Sequence, residues 1–570
     1  MSKNIKSSDE NNEFFDQISR VGQKPSLTLR FHQKLIVKNV LNSIKNGYKN
    51  LLIGAIARSG KSYLIGSIAS HFKNCMILSS VPTETFGQFM GDLFLKFADF
   101  QDYSIINPQS SHELKHIKLD KMNIVVVSKQ LLQIFILKNT IKKLVGFDVI
   151  FFDEHHVGGN SDLSKEIIHS YSSKNTIHIF VTATYRKSIN KVDKIFLWNM
   201  MDIQLCKKKN VDGLISRHGS IVKSLLKDVD ELNVYKLYPN MIILSTLFDK
   251  RIINKFKQIL KIKTFNIPMD KLFQNKWAIQ SLLDYISKTI YKRINFISYK
   301  YKSKTEISSD NFGIQLWFLP PKLINDTSQL LVKICDKHPI MSRFGFFIIN
   351  SHIEDKINDI KKMITSFERK YKREKKLGLI ILSGNMLTLG ISLPKCHYVF
   401  MLNNINNIDK ITQSIYRCLT ENEGKKFGFV IDLNINRIIE AMLTYTSEPL
   451  NNENKIKYLI KNNIINVDID LVSKREIINK LVNNYDTDPI NEYQNIIRFS
   501  IHIIPVINYI INSLTKDRKN IEIISKLEKA KMYSLIRVNR LVNTFIDNIH
   551  RYEIKESRIN IIDGIYSIAA

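Results

Sequence analysis

The chain has 570 residues, of which 84 are Lys or Arg and 53 are Asp or Glu, so its formal net charge is +31. Hydrophobic residues make up 44% and charged residues 24% of the chain. This composition excludes intrinsic disorder as the main state and predicts several folded domains. A positive charge of this size favours polyanionic partners, with nucleic acid first and an anionic membrane surface second.

Cysteine spacing and hydropathy indicate the cellular compartment of the protein. The five cysteines are scattered and form neither a CxxC pair nor another metal-ligand spacing, so the sequence predicts no disulfide framework and no structural zinc. The opening residues, MSKNIKSSDENNEFFDQ, are polar where a signal peptide is apolar, and no apolar run approaches the ~18 residues of a membrane-spanning helix. We therefore expect a soluble, cytoplasmic protein that does not use a membrane as its partner.

Short apolar runs alternate with segments of helical length in two parts of the chain. The runs lie at residues 51–56, 75–80, 123–128, 147–152 and 177–183, and again at 313–320, 344–349, 377–382, 398–402 and 427–433. Continuous apolar strands with such connections are typical of parallel sheets that are covered on both faces. The sequence predicts an α/β protein with two tandem parallel-sheet domains.

The same alternation gives the domain boundaries. We expect a polar tail over residues 1–24, a first domain over 25–205, an irregular basic connector over 206–308, a second domain over 309–435 and a helical accessory region over 436–570. The last of these is predicted from its amphipathic periodicity.

Two basic stretches allow more than one interpretation. Residues 291–304 interleave Lys and Arg with Tyr and Phe, which suits phosphate contacts and base stacking along a single nucleic-acid strand. A β-strand with an aromatic core face and a lysine-bearing wet face fits this stretch equally well. Residues 367–376 carry an unbroken run of charges and are predicted to form the solvated end of a helix.

The first apolar run leads into AIARSGKSY, which fits the phosphate-loop pattern [AG]xxxxGK[ST] with Ala55, Gly60, Lys61 and Ser62. In such a turn, which also contains Ser59, backbone amides at a helix N-terminus surround phosphates, the lysine neutralises them and the serine hydroxyl holds Mg²⁺. The alternative is an ordinary tight turn. A preceding strand and a following helix favour a nucleotide site.

The run at 147–152 ends in Asp153 and Glu154, followed by His155 and His156. An Asp at the carboxyl end of a parallel strand can reach Mg²⁺ beside a phosphate loop, and the adjacent Glu can polarise the attacking water. A solvated acidic loop and a His/Asp metal site are the alternatives. Adjacent histidines on an extended chain point to opposite faces, which disfavours a shared metal ion.

These segments resemble the superfamily-two helicases of the DExH type, and further resemblances follow in the order of that family. Gln33, in LRFHQ, resembles the glutamine that reads adenine. Residues 79–89 and 125–132 resemble the strand-contacting motifs of the first domain. Thr182 and Thr184, in VTATYR, resemble the motif that couples hydrolysis to domain movement.

The second domain continues the resemblance. NMLTLGISLP resembles motif five and places Gly390 at the nucleotide, and QSIYRCLT resembles motif six, in which Gln413 and Arg417 would act in catalysis. Thr420 stands where this family commonly has a second arginine, so the γ-phosphate would depend on Arg417 alone. Arg437 is the alternative arginine, and a solvated surface position is the other interpretation of Arg417.

The resemblance implies two RecA-like domains, ATP and Mg²⁺ as cofactors, and an ATP-dependent helicase or translocase that binds DNA or RNA, with a single strand favoured. It also implies transcription or replication machinery as partners. The variant YRCLTE followed by KKFGFVIDLN looks most like helicases of large nucleocytoplasmic DNA viruses and linear cytoplasmic plasmids.

Three other functions fit parts of the sequence. One is a duplex-DNA translocase that acts in transcription without separating strands. Another is a nucleic-acid-binding scaffold with a weak ATPase, which the intact set of Lys61, Ser62, Asp153 and Glu154 disfavours. The third is a restriction-type motor with a nuclease, for which the sequence offers no paired-acid cluster on a sheet-like segment.

Overall fold

The protein is described by a computed structural model that covers residues 24–79, 86–87, 89–108, 113, 117–129, 131–132, 146–153, 168, 170–185, 192–245, 250–262, 267–349, 357–384, 393–433, 437–438, 441 and 466–467. The chain divides into two compact units. The first comprises Met1–Trp198 and His218–Glu231, and the second comprises Asn199–Arg217 and Leu232–Ala570. Each unit is built on one parallel sheet.

The first unit contains a seven-stranded sheet with the order β3-β4-β2-β5-β6-β1-β7. Its strands are β1 (Asn50–Ala55), β2 (Asn74–Ser79), β3 (Ser104–Ile106), β4 (Asn123–Ser128), β5 (Val149–Asp153), β6 (Ile177–Thr182) and β7 (Lys194–Trp198). Every residue of β2, β4 and β6 is buried. This burial explains why these strands are continuous apolar runs in the sequence and do not alternate with polar residues.

Helices precede and follow the first strand. They are α1 (Phe31–Lys45) and α2 (Lys61–Ala69). The buried side chains of α1 include Phe31, Leu35, Ile36 and Val40, which share one helix face at the 3.6-residue period. A π-turn at Met90–Phe94 and a 3₁₀ turn at Ala98–Phe100 lead towards β3.

Short helices then connect the units and complete the first one. They are α3 (Met200–Lys207), α4 (Val211–His218) and α5 (Ile221–Leu225), followed by a 3₁₀ helix at Val229–Leu237. Asn199 caps α3 by accepting a hydrogen bond from the backbone N–H of Met201 (2.9 Å). Asp202 of α3 is fully buried and pairs with Arg217 (2.7 Å), so the two ends of this connecting segment are held together within the second unit.

The second unit also contains a seven-stranded sheet, with the order β10-β11-β9-β12-β13-β8-β14. Its strands are β8 (Asn240–Ser245), β9 (Gly313–Phe318), β10 (Gly345–Ile349), β11 (Gly378–Ser383), β12 (Cys396–Met401), β13 (Phe427–Asp432) and β14 (Asn466–Val467). All recorded neighbours in both sheets run parallel. The predicted α/β class with two parallel sheets is therefore confirmed.

Helices of the second unit are α6 (Lys250–Leu260), α7 (Met269–Gln274), α8 (Lys276–Tyr285), α9 (Tyr291–Lys300), α10 (Ile324–Cys335), α11 (Ile357–Arg373) and α12 (Ile408–Ile415). A single turn of π-helix at Ile286–Ile290 joins α8 to α9. In the core, Tyr291 of α9 and Trp317 of β9 both donate hydrogen bonds to Oε1 of Gln315 (2.9 and 3.0 Å). This buried network ties α9 to the centre of the sheet.

The ten predicted apolar runs all form strands, while β3, β7, β8 and β14 were not predicted. Strand β8 lies within residues 206–308, so part of the predicted connector is a buried strand of the second sheet. Strand β3 has only three residues, and β7 is an edge strand that begins with exposed residues, so neither gives a clear apolar run.

The structure also shows how the two basic stretches, 291–304 and 367–376, fold. Residues 291–300 form helix α9, so the interpretation of 291–304 as a two-sided β-strand is wrong. The charged end of α11 confirms the helix predicted to end within 367–376. Most of the predicted tail and most of the predicted helical accessory region lie outside the described residues. Within the ranges given above, no helix combines the length and the apolarity needed to cross a membrane.

Candidate nucleotide-binding site

The predicted phosphate loop joins the end of β1, at Ala55, to the start of α2, at Lys61. Two residues of this turn have left-handed backbone conformations, Arg58 with φ 73° and Gly60 with φ 75°. Such turns direct backbone N–H groups into a concave anion site, and the first N–H groups of a helix add free donors there. Lys61 and Ser62 occupy the first two positions of α2. The turn therefore has the geometry that binds phosphate groups.

Gly60 is the residue of this turn that tolerates least change. A Cβ atom on Gly60 would lie 2.5 Å from Nε2 of Gln33, and its positive φ disfavours any L side chain. We expect Gly60→Ala to weaken ATP binding at least about tenfold, because relief of this contact must displace the loop or Gln33. Titration with a fluorescent ATP analogue measures this change.

Gly47 provides the matched control for that variant. Its φ is +87°, but a Cβ atom there would meet nothing within 4 Å. Gly47→Ala should therefore share the backbone strain of about 1–2 kcal/mol and keep normal ATP affinity. Equal ATP affinities in the two alanine variants would show that Gly60 has no special part in the loop.

Two buried side chains of α1 support the phosphate loop from behind. Gln33 donates a hydrogen bond from Nε2 to the carbonyl oxygen of Ser59 (3.2 Å) and accepts one at Oε1 from the backbone N–H of Arg30 (2.9 Å). Nε2 of His32 lies 2.7 Å from the same Ser59 carbonyl oxygen. Both ends of the Gln33 amide thus bind protein atoms, and its predicted role in reading adenine stays a prediction.

Trp198, the last residue of β7, holds the loop from a second side. Its ring is almost fully buried and stacks on His32, with ring centroids 5.0 Å apart, and on His218, at 5.6 Å. Its carbonyl oxygen accepts a hydrogen bond from the backbone N–H of Ile56 (2.9 Å). Sequence reasoning missed His32 and Trp198. His32 lies beside the predicted Gln33, whereas nothing in the sequence near Trp198 indicates a link to the loop.

Asp153 is the carboxyl-terminal residue of β5 and is partly exposed. Strand β6 separates β5 from β1, with Asp153 opposite Val181 and Thr182 opposite Gly54. Two strand spacings place the ends of β5 and β1 about 10 Å apart on the same edge of the sheet. The Asp153 carboxylate and the Ser62 hydroxyl are hard oxygen donors of the kind that Mg²⁺ prefers.

One alternative interpretation of residues 153–156 is a His/Asp metal site. Glu154, His155 and His156 lie outside the described residues. Among the residues that the structure does describe, no group of three or more His, Cys, Asp or Glu side chains could hold a metal ion.

Of the threonines in the predicted coupling motif, Thr182 ends strand β6, between β5 and β1, and Thr184 lies in the turn that follows. The hydroxyl of Thr182 accepts a hydrogen bond from the backbone N–H of Thr184 (3.0 Å) and lies 3.3 Å from the Thr184 carbonyl oxygen, to which it donates. Both side chains are buried. Thr182 therefore stabilises the turn after β6, and a coupling role for the pair stays a prediction.

In the second unit, Gln413 lies on α12, and Arg417 lies in the 3₁₀ turn Tyr416–Leu419 that follows it. Asn407 caps α12 by accepting a hydrogen bond from the backbone N–H of Lys410 (3.0 Å). Arg417 is only 6% exposed, so its interpretation as a solvated surface residue is wrong. Gly390 lies outside the described residues.

The turn after Arg417 is fixed by a buried lysine that sequence reasoning missed. Nζ of Lys425 donates hydrogen bonds to the carbonyl oxygens of Cys396 (2.7 Å), Thr420 (2.9 Å) and Pro394 (3.3 Å). The hydroxyl of Thr420 donates to the carbonyl oxygen of Arg417 (3.3 Å). Thr420 is therefore a buried part of this turn.

The side chain of Arg437, the alternative arginine, binds several groups within the second unit. Its Nε and Nη2 atoms bind the two carboxylate oxygens of Asp432 (2.6 and 3.0 Å), and Asp432 is fully buried. Nη2 also donates to the carbonyl oxygen of Met401 (2.6 Å), and Nη1 donates to the Asn403 side chain (3.2 Å) and the Ile405 carbonyl oxygen (3.3 Å). This guanidinium joins the end of β13 to the loop after β12.

Part of the first unit matches a known protein family. Residues 26–187, less than a third of the chain, match the family described as "Type III restriction enzyme, res subunit". The chain matches none of the curated proteins with which it was compared.

Several solved structures match the chain at low identity. A fragment named as the HsdR subunit of a type I restriction enzyme from Vibrio vulnificus YJ016 is 14% identical, with a TM-score of 0.40 over 70% of this chain and 63% of that one. The type ISP restriction-modification enzyme LlaBIII is 13% identical, with a TM-score of 0.45 over 96% of this chain and 41% of that one. The Hef helicase domain of Pyrococcus furiosus is 16% identical, with a TM-score of 0.37 over 71% of this chain and 94% of that one.

The chain thus spans less than two thirds of the length of each of the two restriction proteins. The fold and the loop define an α/β protein with two parallel sheets, the first of which carries a phosphate-loop turn. The residues that match the restriction-subunit family, 26–187, include this phosphate-loop turn.

Proposed function

We propose that the protein is an ATP-dependent nucleic-acid motor, a helicase or translocase that couples ATP hydrolysis to movement along a strand. The observation that carries this proposal is the left-handed turn at Arg58 and Gly60, which connects β1 to α2 beside the sheet edge that bears Asp153. The restriction-subunit match of residues 26–187 supports it.

The residues of the first unit fit ATP and Mg²⁺. The amides of the turn and Lys61 would hold the phosphates, while Ser62 and Asp153 would hold the metal ion. Bound Mg²⁺ neutralises the negative charge of the phosphates. Glu154 would accept the proton of the attacking water, and the buried support from Gln33 would keep the loop in position.

The second domain would complete the reaction. We propose that Arg417 stabilises the charge that develops on the γ-phosphate, with Gln413 orienting the groups around it and Gly390 contributing to nucleotide binding. The bonds of Arg437 to Asp432, Met401, Asn403 and Ile405 support this choice of arginine.

The net charge of +31 supports a nucleic-acid partner. A second candidate is a duplex-DNA translocase that does not separate strands, which the description of the matched family as part of a restriction enzyme favours. A cytoplasmic location stays a proposal that derives from cysteine spacing and hydropathy. A viral or plasmid lineage and a partner in transcription or replication stay proposals that derive from the sequence resemblance.

Steady-state ATPase measurements with single-stranded DNA, duplex DNA and RNA as separate stimulants test the proposal. We expect at least one polymer to stimulate ATP hydrolysis, because a nucleic-acid motor completes its ATPase cycle only when it is bound to nucleic acid. A strand-displacement assay with the best stimulant then separates the two candidates: stimulation by duplex DNA without displacement supports the translocase. ATP hydrolysis that no polymer changes would contradict both.

A further inference from the structure

One face of α9 exposes aromatic and basic side chains together. It comprises Lys292, Arg293, Phe296, Tyr299 and Lys300, and we call it the α9 surface. Tyr299 is 79% exposed and Phe296 is 46% exposed, while most large hydrophobic residues of the second unit are buried. Two exposed rings that lie beside each other on one helix face, among basic side chains, form the kind of patch that marks interaction sites, unlike a single exposed ring.

The helical conformation decides which rings face outward. Tyr291, Ile294 and Ile297 are buried and face the core. Phe296 and Tyr299 are three residues apart and lie on the opposite side, since residues at this spacing share a helix face. The two rings therefore play no part in the core, unlike Tyr291. From Lys292 to Lys300 the surface extends about 12 Å along the helix.

The charged residues of the chain segment that contains these rings are all basic, and the first acid after it is Glu306. Residues 286–305 contain six Lys or Arg and no Asp or Glu. Asp284, the nearest acid before this stretch, pairs with Lys288 (3.0 Å) in the preceding π-turn. The Arg293 guanidinium lies over the Phe296 ring, 4.9 Å from its centroid. Cations beside flat, exposed rings are complementary to a chain that offers both phosphates and bases.

We propose that the α9 surface binds a single strand of nucleic acid, with bases stacked on Phe296 and Tyr299 and phosphates neutralised by Lys292, Arg293 and Lys300. The choice of polymer rests on the proposed function. An anionic membrane is less suitable, because a membrane-surface helix presents a continuous aliphatic face, and the aliphatic residues of α9 are buried. The α9 surface belongs to the second unit, whereas the phosphate loop belongs to the first.

The test compares the full chain with the double variant Phe296→Ala/Tyr299→Ala. Fluorescence anisotropy with labelled single-stranded DNA and, in a parallel arm, RNA of the same length measures affinity. We expect the double variant to bind the preferred strand at least about fivefold more weakly, since each stacked base contributes measurably to affinity. ATPase activity without nucleic acid should not change.

Trp277→Ala is the matched control, because Trp277 is 75% exposed on the neighbouring helix α8 and lies outside the α9 surface. It should bind like the unaltered chain. Lys292→Ala/Lys300→Ala should reduce the slope of log K against log salt by about 1.4, at ~0.7 for each lost contact with a single strand. Lys271→Ala, on α7, should leave that slope unchanged.

The outcomes separate this inference from the proposed function. If the unaltered chain binds strands but Phe296→Ala/Tyr299→Ala binds them equally well, the α9 surface is not the contact and the motor proposal stands. If the unaltered chain binds neither DNA nor RNA, the proposed function fails as well. Binding to vesicles with anionic lipid that is lost in the double variant, without strand binding, would overturn the inference in favour of a membrane.

Discussion

Replacing Lys61 with alanine is expected to lower kcat for ATP hydrolysis by about 10²–10³, because the loop loses the cation that neutralises the β- and γ-phosphates. The fold should survive, since Lys61 is the first residue of α2 and alanine is the best helix former. Steady-state ATPase at saturating nucleic acid, together with thermal unfolding, measures both effects.

Lys73→Ala is the control for this variant. Lys73 is an exposed lysine in the turn between α2 and β2, so its loss removes one positive charge near the other end of the same helix. It should hydrolyse ATP at the normal rate. A folded Lys61→Ala protein with full ATPase activity would refute the phosphate-loop assignment.

The second large effect is expected at Arg417. Arg417→Ala should lower kcat by about 10³ and change ATP affinity much less, because an arginine that stabilises transition-state charge contributes little to ground-state binding. Thr420→Ala should be close to neutral, because the Thr420 hydroxyl makes only a long hydrogen bond to the Arg417 carbonyl oxygen (3.3 Å). The measurement is steady-state ATPase, with ATP affinity from a separate titration.

Arg437→Ala should behave differently from Arg417→Ala. It leaves the fully buried Asp432 carboxylate without its partner, so the free energy of unfolding should fall by about 3–5 kcal/mol. Denaturant unfolding of both variants separates the two arginines. If Arg437→Ala is stable but catalytically dead while Arg417→Ala remains active, the arginine finger lies outside motif six.

Much of the fold could be predicted because buried parallel strands must be apolar at every residue. Runs such as those at 123–128 and 427–432 are buried along their whole length, and a continuous run of this kind bounded by turns is a strong local signal. The turn between β1 and α2 was also predictable, since a left-handed backbone conformation favours glycine, and Gly60 has a positive φ.

Other features could not be predicted, because their signals depend on what surrounds them. The mixture of rings and lysines at 291–300 does not distinguish a strand from a helix. The structure shows a helix, in which Tyr291 faces the core and donates a hydrogen bond to Gln315. Strand β8 was missed inside residues 206–308, whose sequence pattern is irregular and basic although they otherwise form mainly helices.

The sequence by itself determined the α/β class, most of the strands and the turn at Gly60 that joins β1 to α2, because each depends on neighbouring residues and on local backbone geometry. Only the tertiary structure decided that His32 and Trp198 support this turn, that Arg437 is bound by Asp432, and that Phe296 and Tyr299 face outward. The physical reason is that hydrogen bonding, stacking and burial join residues that are distant in the chain. His32 and Ser59 are 27 residues apart, and Arg437 and Asn403 are 34 residues apart.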